Sequence, residues 1–339
     1  MKSIHISEVG KMIVTEEAKP VVGTGEVLLK MHYVGFCGSD LNTFLGRNTM
    51  AKTNVIPGHE IGATIEAIGE GVPATFKIGD IVTVNPYTNC GVCPSCRNLR
   101  ANACQHNETL GVQRDGAMRE YIAVPWQKVI PVDGISFRDA ALVEPMSVGF
   151  HAVSRAQVTD NDYVVVLGCG MVGLGAVVRS VQRGATVIAV DLSQEKLDIA
   201  KSLGAKFGIN STKENILDKV LEITRGMGAD VVIEAVGSPI TYVSAIDAVS
   251  FTGRVVCIGY AKSDVAFQTK YFVQKELDIR GSRNAMPDDF RAVIRYLTST
   301  KIPMDRFVSG VVKPEEAESA MKTWAQDPGK VFRILVRFA

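Results

Sequence analysis

The chain has 339 residues, room for two domains at roughly 100–200 residues each. Apolar residues make up 46% and charged residues 22%, and 37 basic side chains offset 36 acidic ones to a formal charge of +1. That balance gives neither nucleic acid nor an anionic membrane an electrostatic hold. No apolar run approaches the ~18 residues of a spanning helix, and His5, Glu8 and Lys11 interrupt the N-terminus where a secretory signal would be apolar.

The first ~150 residues read as a β-rich unit: short β-like runs at 26–35, 62–69, 80–87 and 119–130 are cut by Gly and Pro. Two sets of chemistry-bearing residues lie in it. "NCGVCPSCRNLRANAC" spaces Cys90, Cys93, Cys96 and Cys104 so that four thiolates close around one ion, a structural zinc site within about 88–106. An iron–sulfur cluster is the rival reading. The second set is dispersed: Cys37 in "GFCGSDLN", His59 and Glu60 in "PGHE", and Glu144 in "VEPMSVG". Thiolate, imidazole and carboxylate are zinc donors, and three of them leave a position for water or substrate. Asp40 is placed to orient the imidazole of His59 by taking its other N–H. An odd total of seven cysteines argues against a disulfide framework and for a reducing, cytoplasmic setting.

From residue 162 apolar strands alternate with helices. "DYVVVLG" precedes a helix at 171–183, "TVIAVD" one at 194–203, and "FGIN", "GADVVIEAVG", "GRVVCIGY" and "LDIRGSR" supply four more strands. That pattern predicts a parallel sheet covered on both faces. Gly168, Gly170 and Gly173 form G-x-G-x-x-G between the first strand and its helix, with Asp191 ending the second strand. This is the dinucleotide-binding arrangement of a Rossmann domain. Met171 and Val172 open the helix whose N–H groups face the pyrophosphate. Asp191, followed by Leu192 and Ser193 without an adjacent arginine, selects NAD over NADP, with Lys196 as the dissenting residue. Val236, Gly237, Ile258 and Gly259, in the turns after the fourth and fifth strands, complete the cofactor positions. Cys169 and Cys257 read as small buried hydrophobes. A helix near 287–298 and further short strands end the chain.

Taken in order, "GFCGSD", "GHE", the four-cysteine lobe, "EP" at 144–145 and "GCGMVG" with Asp191 resemble the zinc-containing medium-chain alcohol/polyol dehydrogenase family over essentially the whole chain. The likeness is to its sorbitol, threonine and galactitol-phosphate dehydrogenase branch. "GSRNAMPDDF" at 281–290 adds a local similarity to sugar-acid 5-dehydrogenases such as L-galactonate oxidoreductases. The resemblance implies an α/β chain: a GroES-like β-rich catalytic domain (1–150), a Rossmann NAD-binding domain (151–285) and a C-terminal return to the catalytic domain (286–339). It also implies an active site in the cleft between domains, one catalytic and one structural zinc per chain, and a homodimer or homotetramer. Cys37 and His59 would hold the catalytic zinc; either Glu60 completes the shell while Glu144 holds a water and faces substrate, or Glu144 binds directly, or the two exchange during turnover. Ser39 would carry the hydroxyl proton, and Arg283, Asn284 and Gln113, with Arg114 beside it, would face substrate. Asn42 replaces the histidine that relays that proton in many relatives, and Ala63, beside Gly62, replaces a usual glycine. The expected activity is NAD-dependent oxidation of a polyol or sugar acid. The alternatives are an L-threonine-type or simple secondary-alcohol dehydrogenase, and a non-catalytic NAD-binding regulator.

Overall fold

Ile4 and Ile6, buried on one side of an antiparallel pair, anchor β1 (Lys2–Glu8) against β2 (Lys11–Glu16). The computed structural model describes residues 1–52, 54–300 and 303–339. The long strand β3 (Glu26–Phe36) is followed without a loop by α1 (Gly38–Phe44), whose Leu41 and Phe44, three residues apart, are both buried. Next come β4 (Glu60–Ile68), β5 (Ile81–Val84), α2 (Pro94–Arg97), β6 (Tyr121–Pro125), β7 (Val129–Pro131), α3 (Phe137–Ala140) and α4 (Val143–Ala156). The pairing of β3 with β4 shifts register between Met31 and Tyr33, opposite Ala63 and Gly62. This local irregularity coincides with the fully buried Ala63, where the resemblance leads one to expect glycine.

The chain then alternates β8 (Tyr163–Leu167), α5 (Met171–Gln182), β9 (Thr186–Asp191), α6 (Gln194–Ser202), β10 (Phe207–Asn210), α7 (Ile216–Ile223), β11 (Ala229–Glu234), α8 (Pro239–Ala248), β12 (Val249–Cys257), α9 (Lys270–Gln274) and β13 (Asp278–Gly281). All six strands run parallel, in the order β10-β9-β8-β11-β12-β13. Val164, Val165, Val166 and Leu167 are fully buried, as a strand covered on both faces requires. The order reverses between β8 and β11, the point where such sheets leave a crevice at their strand ends. The sheet is therefore Rossmann-like, and its helices start on chemical cues. Ser238 caps α8 in a reciprocal box with Thr241, and Pro239 stands at the first helical position.

The return adds α10 (Pro287–Ser299), β14 (Gly310–Val312), α11 (Ala317–Gln326) and β15 (Ile334–Arg337). Compactness divides the chain into Met1–Pro145 with Met286–Ala339, and Met146–Ala285. In the first unit a seven-stranded sheet runs β14-β15-β3-β4-β5-β7, with β6 on β3. Its core joins Leu29, Met31, Phe36, Ile61, Ile65 and Met118 to Met321 and Trp324 of α11. Each fully buried side chain of this size contributes about 1.5–3 kcal/mol. Two placements matter for function. Gly35 of β3 lies opposite Glu60 of β4, and Phe36 opposite Ile334 of β15, so three remote stretches meet at Cys37.

Candidate active site

The sulfur of Cys37, a ring nitrogen of His59 and a carboxylate oxygen of Glu60 lie within 4.8 Å of one another. The sheet register puts them there: Cys37 directly follows β3 as the N-cap of α1, and Glu60 begins the antiparallel β4. Burial alone would push the Cys37 thiol up, but its hydrogen bond to His59 and that ring's charge, with Arg333 behind, bring it down to about 7. Burial alone would likewise lower His59; the bond and charge of Cys37, with Glu144 and Asp40, carry it well above the ordinary histidine value. Glu60 is fully buried, and desolvation outweighs the nearby Arg333 to raise its pKa well above the carboxylate range.

These residues fit a zinc ion. The donors are thiolate, imidazole and carboxylate. Neither carboxylate oxygen of Glu60 has a hydrogen-bond partner, although the residue is fully buried. A buried carboxylate left so is costly unless an ion completes it. Arg333 Nη1 stands 3.1 Å from Glu60 Oε1, close enough for an ion pair, but its hydrogen bond goes to the carbonyl of Phe36 at 2.7 Å. The Ser39 hydroxyl is also buried without a partner, as a group reserved for a substrate oxygen would be.

Asp40 does not orient His59. It is the third residue of α1, and its carboxylate turns back to accept the Cys37 N–H at 2.7 Å, while Nδ1 of His59 has no hydrogen-bond partner. Local helix capping wins over the longer-range bond. Glu144 does not join the Cys37–His59–Glu60 group. It is buried in the first turn of α4, where Tyr87 donates its hydroxyl hydrogen to Glu144 Oε1. Sequence reasoning missed Tyr87 and Arg333. Neither belongs to a spaced motif, though a buried tyrosine that needs a partner for its hydroxyl is a recognisable demand.

The second constellation is compact. Cys90, Cys93, Cys96 and Cys104 form no disulfide, and their sulfurs lie within 4.8 Å of one another. Sγ of Cys93 is 3.6 Å from that of Cys96 and 3.8 Å from that of Cys104. A tetrahedron of Zn–S bonds near 2.3 Å requires sulfurs about 3.8 Å apart. Thiolates on different irons of a cluster would stand farther apart, so zinc fits better. Backbone N–H groups of Cys90 and His106 point at Cys104 Sγ, each at 3.3 Å. The N–H groups of Cys96 and Gln105 lower the Cys93 thiol to about 6, whereas burial raises Cys96 to about 11.

In the other unit the cofactor candidates gather at the carboxyl ends of β8, β9, β11 and β12. Gly168 has φ +92°, and a Cβ on Gly173 would collide with the carbonyl of Gly168. Nothing lies within 4 Å of a Cβ on Gly170, the N-cap of α5, which leaves room for a pyrophosphate. Met171 and Val172 form the first turn of α5. Asp191 Oδ2 accepts from Cys169 N at 2.7 Å and Oδ1 from Ser193 N at 2.9 Å, which ties the end of β9 to the glycine loop. Leu192 and Val236 are exposed. Glu234, which sequence reasoning missed, is fully buried at the end of β11. Its Oε1 accepts from the N–H groups of Val236 and Gly237, and its carbonyl from those of Ile258 and Gly259.

The substrate-facing candidates are less uniform. Gln113 uses its side-chain oxygen on Thr109 N at 2.8 Å and so braces its own loop, and Arg114 donates to the carbonyl of Pro86 at 3.3 Å, which ties that loop to the segment after β5. Arg283 and Asn284 are half-buried just beyond β13, with Asn284 at φ +55°, a conformation Asn adopts more readily than most residues.

Comparison with known proteins finds two family models along the chain. A family model described as an alcohol dehydrogenase GroES-like domain matches residues 23–134, and one described as a zinc-binding dehydrogenase matches 172–299. The chain is 34% identical over 333 residues to the sorbitol dehydrogenase of Halalkalibacterium halodurans, covering 96% of each. It is 33% identical over 291 residues to the L-galactonate-5-dehydrogenase of Escherichia coli K12, covering 86% of this chain and 85% of that one. A crystal structure of an alcohol dehydrogenase from Escherichia coli CFT073 complexed with NADH superposes with a TM-score of 0.91 at 29% identity, covering 100% of this chain and 99% of the other.

Proposed function

The chain belongs to the zinc-containing, GroES-like medium-chain alcohol/polyol dehydrogenase family, and from that premise we propose that it oxidises a secondary hydroxyl of a polyol or sugar acid to a ketone, with NAD as hydride acceptor. The observation that carries this is the buried Cys37–His59–Glu60 set beside the unpartnered Ser39 hydroxyl. When bound there, zinc supplies Lewis acidity that makes a nearby hydroxyl easier to deprotonate.

In this reading Cys37, His59 and Glu60 hold the metal, and Ser39 accepts the substrate's hydroxyl proton while passing on its own. Asn42 cannot titrate, so beyond Ser39 the proton would pass to water, the ribose hydroxyls or another group. When bound, NAD would supply the hydride acceptor, so that the substrate would be oxidised as NAD is reduced. Arg283 offers a guanidinium for a substrate carboxylate or vicinal hydroxyls, with Asn284 beside it. The names of the relatives, a sorbitol and an L-galactonate dehydrogenase, support both substrate types. Gly168 makes the tight turn and Gly173 the close helix packing, so that Gly170, Met171 and Val172 would hold the pyrophosphate; Asp191 and Leu192 would take the adenosine ribose, and Val236, Gly237, Ile258 and Gly259 would line the rest. The carboxylate of Asp191, which repels a 2′-phosphate, and the NADH-bound neighbour support NAD. The Cys90–Cys93–Cys96–Cys104 site staples its loop as a second zinc centre. No helix among the described residues is long and apolar enough to cross a membrane. A cytoplasmic homodimer or homotetramer is the form the family resemblance supports.

A panel of polyols, sugar acids, L-threonine and simple secondary alcohols tests the reading, with NAD or NADP and NADH absorbance as the readout. The expected result is NAD reduction with a polyol or sugar acid, abolished by Cys37→Ser. Turnover of simple alcohols or threonine alone, or full activity in Cys37→Ser, overturns it.

A further inference from the structure

Two buried carboxylates, Glu60 and Glu144, are candidates for the third protein donor of the metal centre, and the structure treats them differently. Both oxygens of Glu60 are without hydrogen-bond partners, and the residue groups with Cys37 and His59. Glu144 stands outside that group and receives the hydroxyl hydrogen of Tyr87 on Oε1. Tyr87 itself is firmly held. It is 5% exposed, its backbone bridges to Thr109, its N–H bonds to Asn85 Oδ1 at 3.2 Å, and its ring meets Phe290 edge-on at 6.4 Å between centroids.

We propose that Tyr87 is a positioning residue that decides which carboxylate binds the metal: its hydroxyl holds Glu144 off the ion and leaves Glu60 to complete the set with Cys37 and His59. The proposal rests on the metal-centre reading above. A carboxylate that accepts a strong hydrogen bond is both a weaker donor to a cation and fixed in direction. Tyr87 therefore works by restraint and need not change protonation. Release of that restraint gives the ion a competing oxygen ligand and changes its coordination number.

Tyr87→Phe removes only the hydroxyl and keeps the ring against Phe290. The probes are zinc content after dialysis against a chelator, metal affinity, and the visible spectrum of the cobalt-exchanged protein; the signal lost in Cys37→Ser is assigned to this site. Relative to wild type, Y87F is expected to show weaker d–d absorption, as a higher coordination number gives, and to keep its metal at chelator concentrations that strip wild type. Adding Glu144→Gln to Y87F returns both to wild type. An unchanged Y87F spectrum and affinity, or a change that E144Q does not reverse, overturns the proposal.

A second arm stands even if Y87F folds poorly. Alone, E144Q is expected to retain the metal and the wild-type cobalt spectrum, whereas Glu60→Gln loses it. Metal lost in E144Q and kept in E60Q makes Glu144 the ligand and refutes the proposal. Retention of metal at this site in Cys37→Ser is a separate result: it sinks the metal-centre reading itself.

Discussion

Arg333→Met tests how far the candidate active site depends on the C-terminal return. Arg333 precedes β15, is only 4% exposed, donates to the Phe36 carbonyl at 2.7 Å and stands 3.1 Å from the fully buried Glu60. At that distance and an effective dielectric near 20 the attraction is about 5 kcal/mol before desolvation is subtracted. The net value of the intact pair is smaller, but removal of one partner strands a buried carboxylate and an unpaired carbonyl. That loss is about 3–5 kcal/mol. The metal-binding unit contains roughly 200 residues, a size at which each kcal/mol moves Tm by about 2–4 °C. Calorimetry on the metal-free protein, in which no ion compensates Glu60, should therefore find that unit's transition lowered by roughly 6–20 °C. Arg333→Lys keeps the charge but loses the fork geometry, so it should fall between R333M and wild type. A transition in R333M within about 3 °C of wild type refutes the argument, as does an R333K transition as low as that of R333M.

Cys93→Ser should remove one metal equivalent, and limited proteolysis should then cut within 90–104, with NADH affinity unchanged; full metal content would contradict the four-sulfur site. Asp191→Ala removes the carboxylate that receives Cys169 N and Ser193 N, and should weaken NADH binding by about tenfold or more while narrowing preference over NADPH, measured by fluorescence titration. At Glu17, burial favours the neutral acid, but hydrogen bonds from His5 and Ser3, with the charges of His5 and Arg119, lower its pKa overall. Its stabilising contribution is thus complete above the unfolded carboxylate value of about 4.3 and lost as pH falls through its folded value. Glu17→Gln should be less stable than wild type at pH 7, and the gap should close at acid pH in denaturant titrations; a gap independent of pH would contradict the pairing.

What could be read from the sequence follows the distance over which each feature is encoded. The glycine loop, its strand and helix, and Asp191 lie within one β-α-β unit, so apolar runs and glycine spacing were enough to place them. The four cysteines are equally local. Cys37, His59 and Glu60 were recognisable as donor types, but their meeting needs the β3–β4 register, which spacing does not state. Asp40 misled because two bonds competed for it: an acid three residues after an N-cap also satisfies the helix start, and the nearer partner won. Arg333 lies 297 residues from the carbonyl it binds, and Tyr87 is 57 residues from Glu144, so neither could announce itself by periodicity. A folded chain cannot leave such buried polar groups unpaired without cost. In the reading proposed above, the contrast between Glu144, which has a hydroxyl donor, and Glu60, which lacks any hydrogen bond to its carboxylate, marks which acid the protein satisfies itself and which it leaves for an ion. That distinction exists only in the folded arrangement, and it is why the choice between two glutamates, open in the sequence, becomes a question about a tyrosine.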